Sequence, residues 1–378
     1  STVNSQQSIL ISIDWFLPGT NAGGPVRSIA NLVSQLKDIN FYIITSDTDY
    51  CTQEPYQNIP SNQWVNHAAN VQVYYFSKDQ LNRKNMEQLI NSVKYECIYI
   101  NGIYSKFFSR IPLDIANQNN IKTIVSTRGM LSPHALNVKP VKKKIFLAAQ
   151  NALSKYKQVH FHVTNEIEKE HVKNVISKYD KISAIPNLPR PQSADKSPMI
   201  KKESGKVKFI SLGRIAEEKG TLVSLEALRN VKGHVLLHLY GSIYNERYWQ
   251  KCESVISKLP ENIKVNYCGA LPSEKVMQTL QEYHFLLLPS KGENYGHAIV
   301  ESFIANRPVA ISKHTPWKDL KSKNMGYDVE ESQLNNTLQE ITDMPDEVFQ
   351  NMTMSIYNNI ENILDINTIK MQYHKLFN

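Results

Sequence analysis

The sequence has no run of the roughly 18 consecutive apolar residues that a membrane-spanning helix needs, so no such span is expected. Cysteine is scarce. Cys51, Cys97, Cys252 and Cys268 stand far apart without CxxC pairing, which argues against a disulfide framework and a cysteine zinc site and fits reduced thiols. The first residues do not line up a basic region, an apolar core and a small-residue cleavage site, so no secretory leader is expected and the expected location is cytoplasmic. A GxGxxG fingerprint, short-period repeats, low-complexity segments and nucleic-acid motifs are also missing. The one D-x-D, Asp47-Thr48-Asp49, follows a strand-like run and is read as a loop, so no metal is expected.

What is present describes a globular protein with an anionic partner. An apolar content of 41% and a charged content of 21% are ordinary for a packed fold, and 378 residues exceed one usual domain, so two are expected. The formal charge of +8 favours a nucleotide, a phospholipid surface, a polyphosphate or a nucleic acid, and composition does not choose among them.

Along the chain, apolar strand-like runs alternate with amphipathic helical stretches. The first series has strand candidates at Ile9–Ile13, Phe41–Thr45, Val71–Phe76, Cys97–Ile100, Ile121–Ser126, Val159–Thr164 and Ile182–Ile185. Helices are expected at Asp79–Lys94 and Lys142–Lys155, and another follows the loop that contains Gly23 and Gly24. A strand, a glycine loop and a helix in succession form the unit that cradles phosphates in doubly wound sheets. Residues 190–206, rich in proline and lysine, read as a linker between a first domain, 1–189, and a second, 207–360. The second series has strands at Val207–Leu212, His234–Tyr240, Ile263–Cys268 and Phe285–Leu288, with a last helix over 361–378. Such alternation predicts mainly parallel sheets covered on both faces, with a ligand cleft at the carboxyl ends of the strands.

The most informative stretch is LPSKGENYGHAIVESFIANRPVAI, Leu288 to Ile311: strand, glycine loop, helix, strand. Amides at a helix start carry the positive end of the helix dipole and suit an anion. A phosphate at Gly296 and His297 would have Glu293 on the loop side and Glu301 in the early helix, each placed to hold hydroxyls. That arrangement fits a nucleotide sugar. Arg214 and Lys219, in GRIAEEKG after strand Val207–Leu212, emerge at the same sheet edge and would give a diphosphate charge-assisted bonds.

These segments resemble glycosyltransferase family 4, a retaining family with the GT-B fold. GRIAEEKG resembles its G-R-x(4)-K-G loop, Glu293 and Glu301 repeat its E-x7-E spacing, and IANRPVAIS resembles its A-x-G-x-P-V-I-A-S segment. Asn306 replaces the usual glycine there, and asparagine tolerates the left-handed turn that ends a helix. AGGPVRS, Ala22–Ser28, and STRGMLSP, Ser126–Pro133, resemble the subset that builds bacterial surface polysaccharide and lipopolysaccharide.

The resemblance implies an α/β GT-B fold of two Rossmann-like doubly wound domains facing across a cleft, the C-terminal helix packing back on the first domain. It implies a UDP- or GDP-sugar donor and a glycan acceptor, with a lipid diphosphate as the expected carrier, and no cofactor, metal or nucleic acid. Arg214 and Lys219 would stabilise the leaving diphosphate, Glu293 would contact the transferred sugar, and Glu301 the ribose. The segment Asn294, Tyr295, Gly296, His297 and Ala298 would meet the phosphates, with Gly23 and Gly24 closing from the other domain. Where the family has a histidine near the transferred sugar this chain has Arg128, with His134 six residues on, and either could stand there. Two basic patches, Lys139 with Lys142–Lys144 and Tyr104 with Lys106, Phe107, Phe108 and Arg110, suit an anionic membrane surface or simply a solvated face. A peripheral position at the inner face of the membrane follows from the first alternative. Competing readings are another GT-B enzyme, either a sugar-nucleotide epimerase or a phosphorylase, and a polyanion-binding protein.

Overall fold

The computed structural model describes residues 6–191 and 199–378. The chain divides into two compact units, Ser1–Pro191 with Ile366–Asn378, and Gln192–Asp365.

The first unit follows the order β1 (Ser8–Ser12), α1 (Gly24–Gln35), β2 (Asn40–Ser46), β3 (Trp64–Ala68), β4 (Val71–Phe76), α2 (Arg83–Ser92) and β5 (Cys97–Asn101). It continues with α3 (Ile111–Gln118), β6 (Thr123–Ser126), α4 (Pro133–Asn137), α5 (Pro140–Ala152), β7 (Val159–Val163), α6 (Glu166–Val175) and β8 (Lys181–Ala184). The second contains β9 (Lys206–Leu212), α7 (Thr221–Leu228), β10 (His234–Tyr240), α8 (Glu246–Ile256), β11 (Ile263–Tyr267), α9 (Val276–Leu280) and β12 (Phe285–Leu288). Then come α10 (His297–Ile304), β13 (Val309–Ser312), β14 (Gly326–Val329), α11 (Leu334–Asp343) and α12 (Asp346–Leu364); α13 (Ile366–Phe377) returns to the first unit.

The first sheet runs β3-β4-β2-β1-β5-β6-β7-β8 and the second β11-β10-β9-β12-β13-β14. Every pair is parallel except β3 with β4. Strands β5, β6, β12 and β13 are buried at every position, as continuous apolar runs covered on both faces require. In each sheet the chain winds outward both ways from its first strand, so a switch point lies between β1 and β5 and another between β9 and β12. Ligands of doubly wound sheets bind beyond the strand ends at such points.

Two strands escaped the periodicity. β3 is a half-exposed antiparallel edge with asparagine and histidine in it, so it has no apolar alternation to betray it. β14 reads GYDV. A Cβ on Gly326 would lie 2.1 Å from the Val309 carbonyl oxygen, so glycine is needed for the close pairing with β13.

Of the linker expected over 190–206, residues 192–198 lie outside the described residues. Beyond them the chain is packed. Lys202 is 1% exposed, and its ammonium donates to the Thr342 and Met344 carbonyls at 3.0 and 2.8 Å, where α11 ends. Proline and lysine content suggested a solvated tether, yet a buried cation capping a helix has the same composition.

The second unit extends to Asp365, five residues past the boundary read from the sequence. Asp365 adopts a left-handed conformation between α12 and α13. Ile369, Tyr373, Leu376 and Phe377 of α13 then share a core with Ile9, Phe41, Val73 and Tyr99. Lys122 donates to the Phe377 carbonyl at 3.0 Å and holds the helix end. Phe377 is fully buried, so Phe377→Ala should cost about 3–5 kcal/mol of unfolding free energy in urea titration.

Candidate active site

Glycine builds the candidate site at the switch point of the second sheet. After β9 the chain passes Gly213 and Arg214 into a tight turn, Glu217–Lys219, that ends at Gly220 in the left-handed region (φ 73°). A Cβ on Gly220 would lie 2.1 Å from the Pro289 carbonyl oxygen, so only glycine lets the start of α7 press against the end of β12. On the other side, a Cβ on Gly241 would lie 1.8 Å from the Gly213 carbonyl oxygen, which joins the ends of β9 and β10 just as closely.

These contacts bring Lys219 and Glu293 together, 74 residues apart in sequence. The Lys219 ammonium meets Glu293 Oε1 at 2.6 Å, with the side chains 23% and 11% exposed. Arg214 is about one-third exposed, donates to Glu218 at 3.2 Å and lies over the Tyr244 ring at 5.0 Å. Lys291 pairs with Glu217 at 2.6 Å, adding a second bridge between the two loops.

Gly296, at φ 79°, opens α10. The first helical amides, those of His297 and Ala298, run with the positive end of the dipole. Tyr295 is buried, its ring 4.9 Å from that of His297, and its carbonyl accepts the Trp317 indole N–H at 2.7 Å. Burial first, and then the charge of Glu301, push the Tyr295 hydroxyl well above its usual range. Glu301 is 4% exposed within α10. Asn306 takes the left-handed conformation (φ 54°) after the helix, and the Arg307 amide reaches back to the Ser302 carbonyl at 2.8 Å, closing the helix end.

Sequence reasoning missed the support of the Glu293 loop. Ser312 donates to the Ser290 carbonyl and accepts from the His314 amide; the His314 carbonyl accepts from the Glu293 amide at 3.3 Å. Trp317 packs against Phe303 and holds Tyr295. Ser312 ends β13 and His314 and Trp317 follow it, and nothing in their spacing points toward Glu293.

The other candidates belong to the first unit. Gly23, at φ 71°, starts α1, and a Cβ there would meet only open space. Gly24 is the first residue of that helix and is exposed. Asp49 fixes the preceding loop by accepting from the Thr20 and Asn21 amides at 2.9 and 3.1 Å, and Asp47 accepts from the Ser61 hydroxyl at 2.7 Å. Both carboxylates of the D-x-D thus hold the chain. His134 is exposed on α4.

Arg128 adopts φ 51° after β6, and its guanidinium donates to Asn101 and Asn187 at 2.6 Å each and to the Tyr99 hydroxyl at 3.1 Å. Tyr99 lies 2.6 Å from His162 Nδ1, and His162 Nε2 lies 2.9 Å from the Ile185 carbonyl. A carbonyl only accepts, so Nε2 carries the proton and Nδ1 accepts from Tyr99. Burial, reinforced by the Arg128 charge, lowers the His162 pKa to about 3. Glu168 closes the same loop by accepting from the Thr127 hydroxyl and the Gly129 amide, both at 2.6 Å. Arg128 is thus a structural element of its loop, whatever else it contacts.

Residues 193–348 match the family model described as glycosyl transferases group 1. On that match the chain is a transferase. No curated protein sequence gives a significant match. Solved structures are similar in fold across the whole chain. Sucrose-phosphate synthase from Thermosynechococcus elongatus is 15% identical, covers 99% of each chain and has a TM-score of 0.64. HepE from Anabaena, in complex with UDP and glucose, is 12% identical over 98% of this chain and 99% of its own, with a TM-score of 0.69. An alpha,alpha-trehalose-phosphate synthase (UDP-forming) from Burkholderia xenovorans, in complex with glucose-6-phosphate, is 10% identical over 98% and 99%, with a TM-score of 0.67. The likeness establishes the two-domain GT-B fold.

Two outcomes test this geometry. Glu293→Gln and Lys219→Ala should each lower kcat/KM in a transfer assay by about 10²–10³-fold, the scale of one lost transition-state contact, with unchanged circular dichroism. His162 takes up no proton in the folded state until about pH 3, whereas the unfolded chain protonates it near its ordinary value. Its contribution to stability is present above that ordinary value and is lost as pH falls toward 3, since there the unfolded state binds the extra proton. The proton uptake on unfolding near pH 5 should fall by about one in His162→Gln, measured from the pH dependence of urea midpoints.

Proposed function

We propose that the chain transfers a hexose-type sugar from a UDP- or GDP-sugar to a growing bacterial surface glycan. In this reading the reaction needs no metal and retains the anomeric configuration, and the acceptor is carried on a lipid diphosphate at the cytoplasmic face of the membrane. The observation that carries the donor half is the Lys219–Glu293 pair, 2.6 Å apart at the β9/β12 switch point beside the start of α10.

The chemistry follows from charge placement. The bond from the sugar's anomeric carbon to the diphosphate breaks with its electron pair on the phosphate oxygen, so negative charge grows on the leaving group. Lys219, Arg214 and the first amides of α10 supply positive charge where it grows, which lowers the barrier. The acceptor hydroxyl forms the new bond to that carbon. With retention it enters on the leaving-group side, where the departing phosphate oxygen can take its proton. Glu293, fixed by Lys219 and by the His314 carbonyl, is placed to hold hydroxyls of the transferred sugar. Glu301, buried in α10, is assigned the ribose. The phosphates are assigned to the segment from Asn294 to Ala298, and Gly23 and Gly24 are proposed as a further phosphate-binding loop. Either Arg128, as a fixed cation, or His134 is assigned to the transferred sugar. The nucleotide-sugar class draws support from the group 1 match, and HepE binds UDP and glucose.

Thermal unfolding with each nucleoside diphosphate tests the donor class. A site filled to 100 times its Kd gains about 2.7 kcal/mol, so UDP or GDP should raise Tm by several degrees, and the rise should survive EDTA. No response to any nucleoside diphosphate, with phosphorolysis of a free glycan instead, would mark a phosphorylase and overturn the proposal.

A further inference from the structure

The two basic patches read from the sequence meet on one surface of the first unit, and α5 forms its crest. Its inward side is firmly held. Leu147 is buried, Asn151 donates to the Val175 carbonyl at 2.8 Å, and Phe146 lies between the Tyr104 ring at 5.4 Å and the Arg110 guanidinium at 5.5 Å. Lys143 also turns inward, donating to the Ala135 carbonyl and sitting over the Tyr104 ring at 5.1 Å. These contacts set the roll of the helix about its axis.

With that roll fixed, the outward face has an unexpected composition. Val141, Ile145, Ala148, Ala149 and Ala152 are all exposed and fall within about 100° of arc at 3.6 residues per turn. Val141 is 67% exposed and Ile145 66%. Lys142 and Lys144, also exposed, flank this stripe on either side. Val138 and Leu153, just outside the two helix ends, are also exposed, at 53% and 65%. A solvated helix of a globular protein shows the opposite pattern, with its apolar stripe turned to the core.

We propose that α5 is an interfacial helix that docks the protein on an anionic lipid surface. Val141 and Ile145 enter the boundary between headgroups and acyl chains, and Lys142 and Lys144 engage phosphate groups at its rim. An apolar centre flanked by lysines is the layout that such a surface selects. Charge decides against a second copy of this chain as the occupant. A two-fold contact through α5 would set its lysines against their own copies, and α5 has no acidic residue to answer them. The proposal deepens the glycosyl-transfer reading by naming the surface where a lipid-linked acceptor is met, and it rests on that reading for this link alone.

Flotation with vesicles of phosphatidylglycerol mixed with phosphatidylcholine, compared with phosphatidylcholine alone, tests it on the full chain. The protein should float with the anionic vesicles and leave the neutral ones largely unbound. The double variant Val141→Glu, Ile145→Glu should bind roughly tenfold more weakly, having lost its insertion as well as some charge. Lys142→Gln with Lys144→Gln should retain partial binding that falls less steeply with salt, because the charge-dependent share is the part removed. The Tm rise with UDP or GDP, taken on the same samples, shows that each variant is folded and reports on the donor site separately. Absence of flotation, equal flotation with neutral vesicles, or undiminished binding by the glutamate variant overturns the proposal. So does a concentration-dependent dimer that Ile145→Glu dissolves.

Discussion

Gly220 against Pro289 is the contact on which the candidate site depends. Without a side chain at 220, the turn after β9 lies directly on the carbonyl that ends β12, and two loops far apart in sequence become one surface. Lys219, one residue earlier, is thereby delivered to Glu293. Any larger residue at 220 would push the loops apart and undo that ion pair, however well the rest of the sheet formed. Adjacent parallel strands supply the frame, since β9 and β12 are hydrogen-bonded neighbours. The loop from Ser312 to Trp317 supplies the far wall by holding the Glu293 amide and the Tyr295 carbonyl.

The first unit spends its polar groups differently. Arg128, Tyr99 and His162 form a chain of bonds that ends on the Ile185 carbonyl, and Glu168 gathers the neighbouring hydroxyl and amide donors. A half-buried cation and a buried carboxylate are tolerable there because each is hydrogen-bonded. The network fixes the loop after β6, and α13 packs its Tyr373 ring 5.3 Å from that of His162. Helix α13 is thus built into the same core as β1.

How much could be read in advance varied with the physical signal. Buried parallel strands announce themselves as apolar runs, and Val71–Phe76, His234–Tyr240 and Phe285–Leu288 have the bounds their sequences imply. Edge strands β3 and β14 carry no such signal, because an edge needs little apolar surface. Lys202 misled for a related reason. Lysine and proline usually mark solvent, but here the ammonium is fully hydrogen-bonded inside the second unit. For α5, three consecutive lysines hid the fact that one turns inward and leaves an apolar stripe facing out.

The amino-acid sequence by itself determined the alternation of strands and helices, the two series, and the residue types at the loops of the candidate site. Those depend on local periodicity and on glycine and carboxylate spacing, which chain order alone records. Only the tertiary structure decided that Lys219 reaches Glu293, that Arg128 is bound by Asn101, Asn187 and Tyr99, and which face of α5 meets solvent. Each of these is a contact between segments distant along the chain, or a helix roll set by such contacts. Pairings of that kind follow from packing, and packing is settled only when the whole core closes.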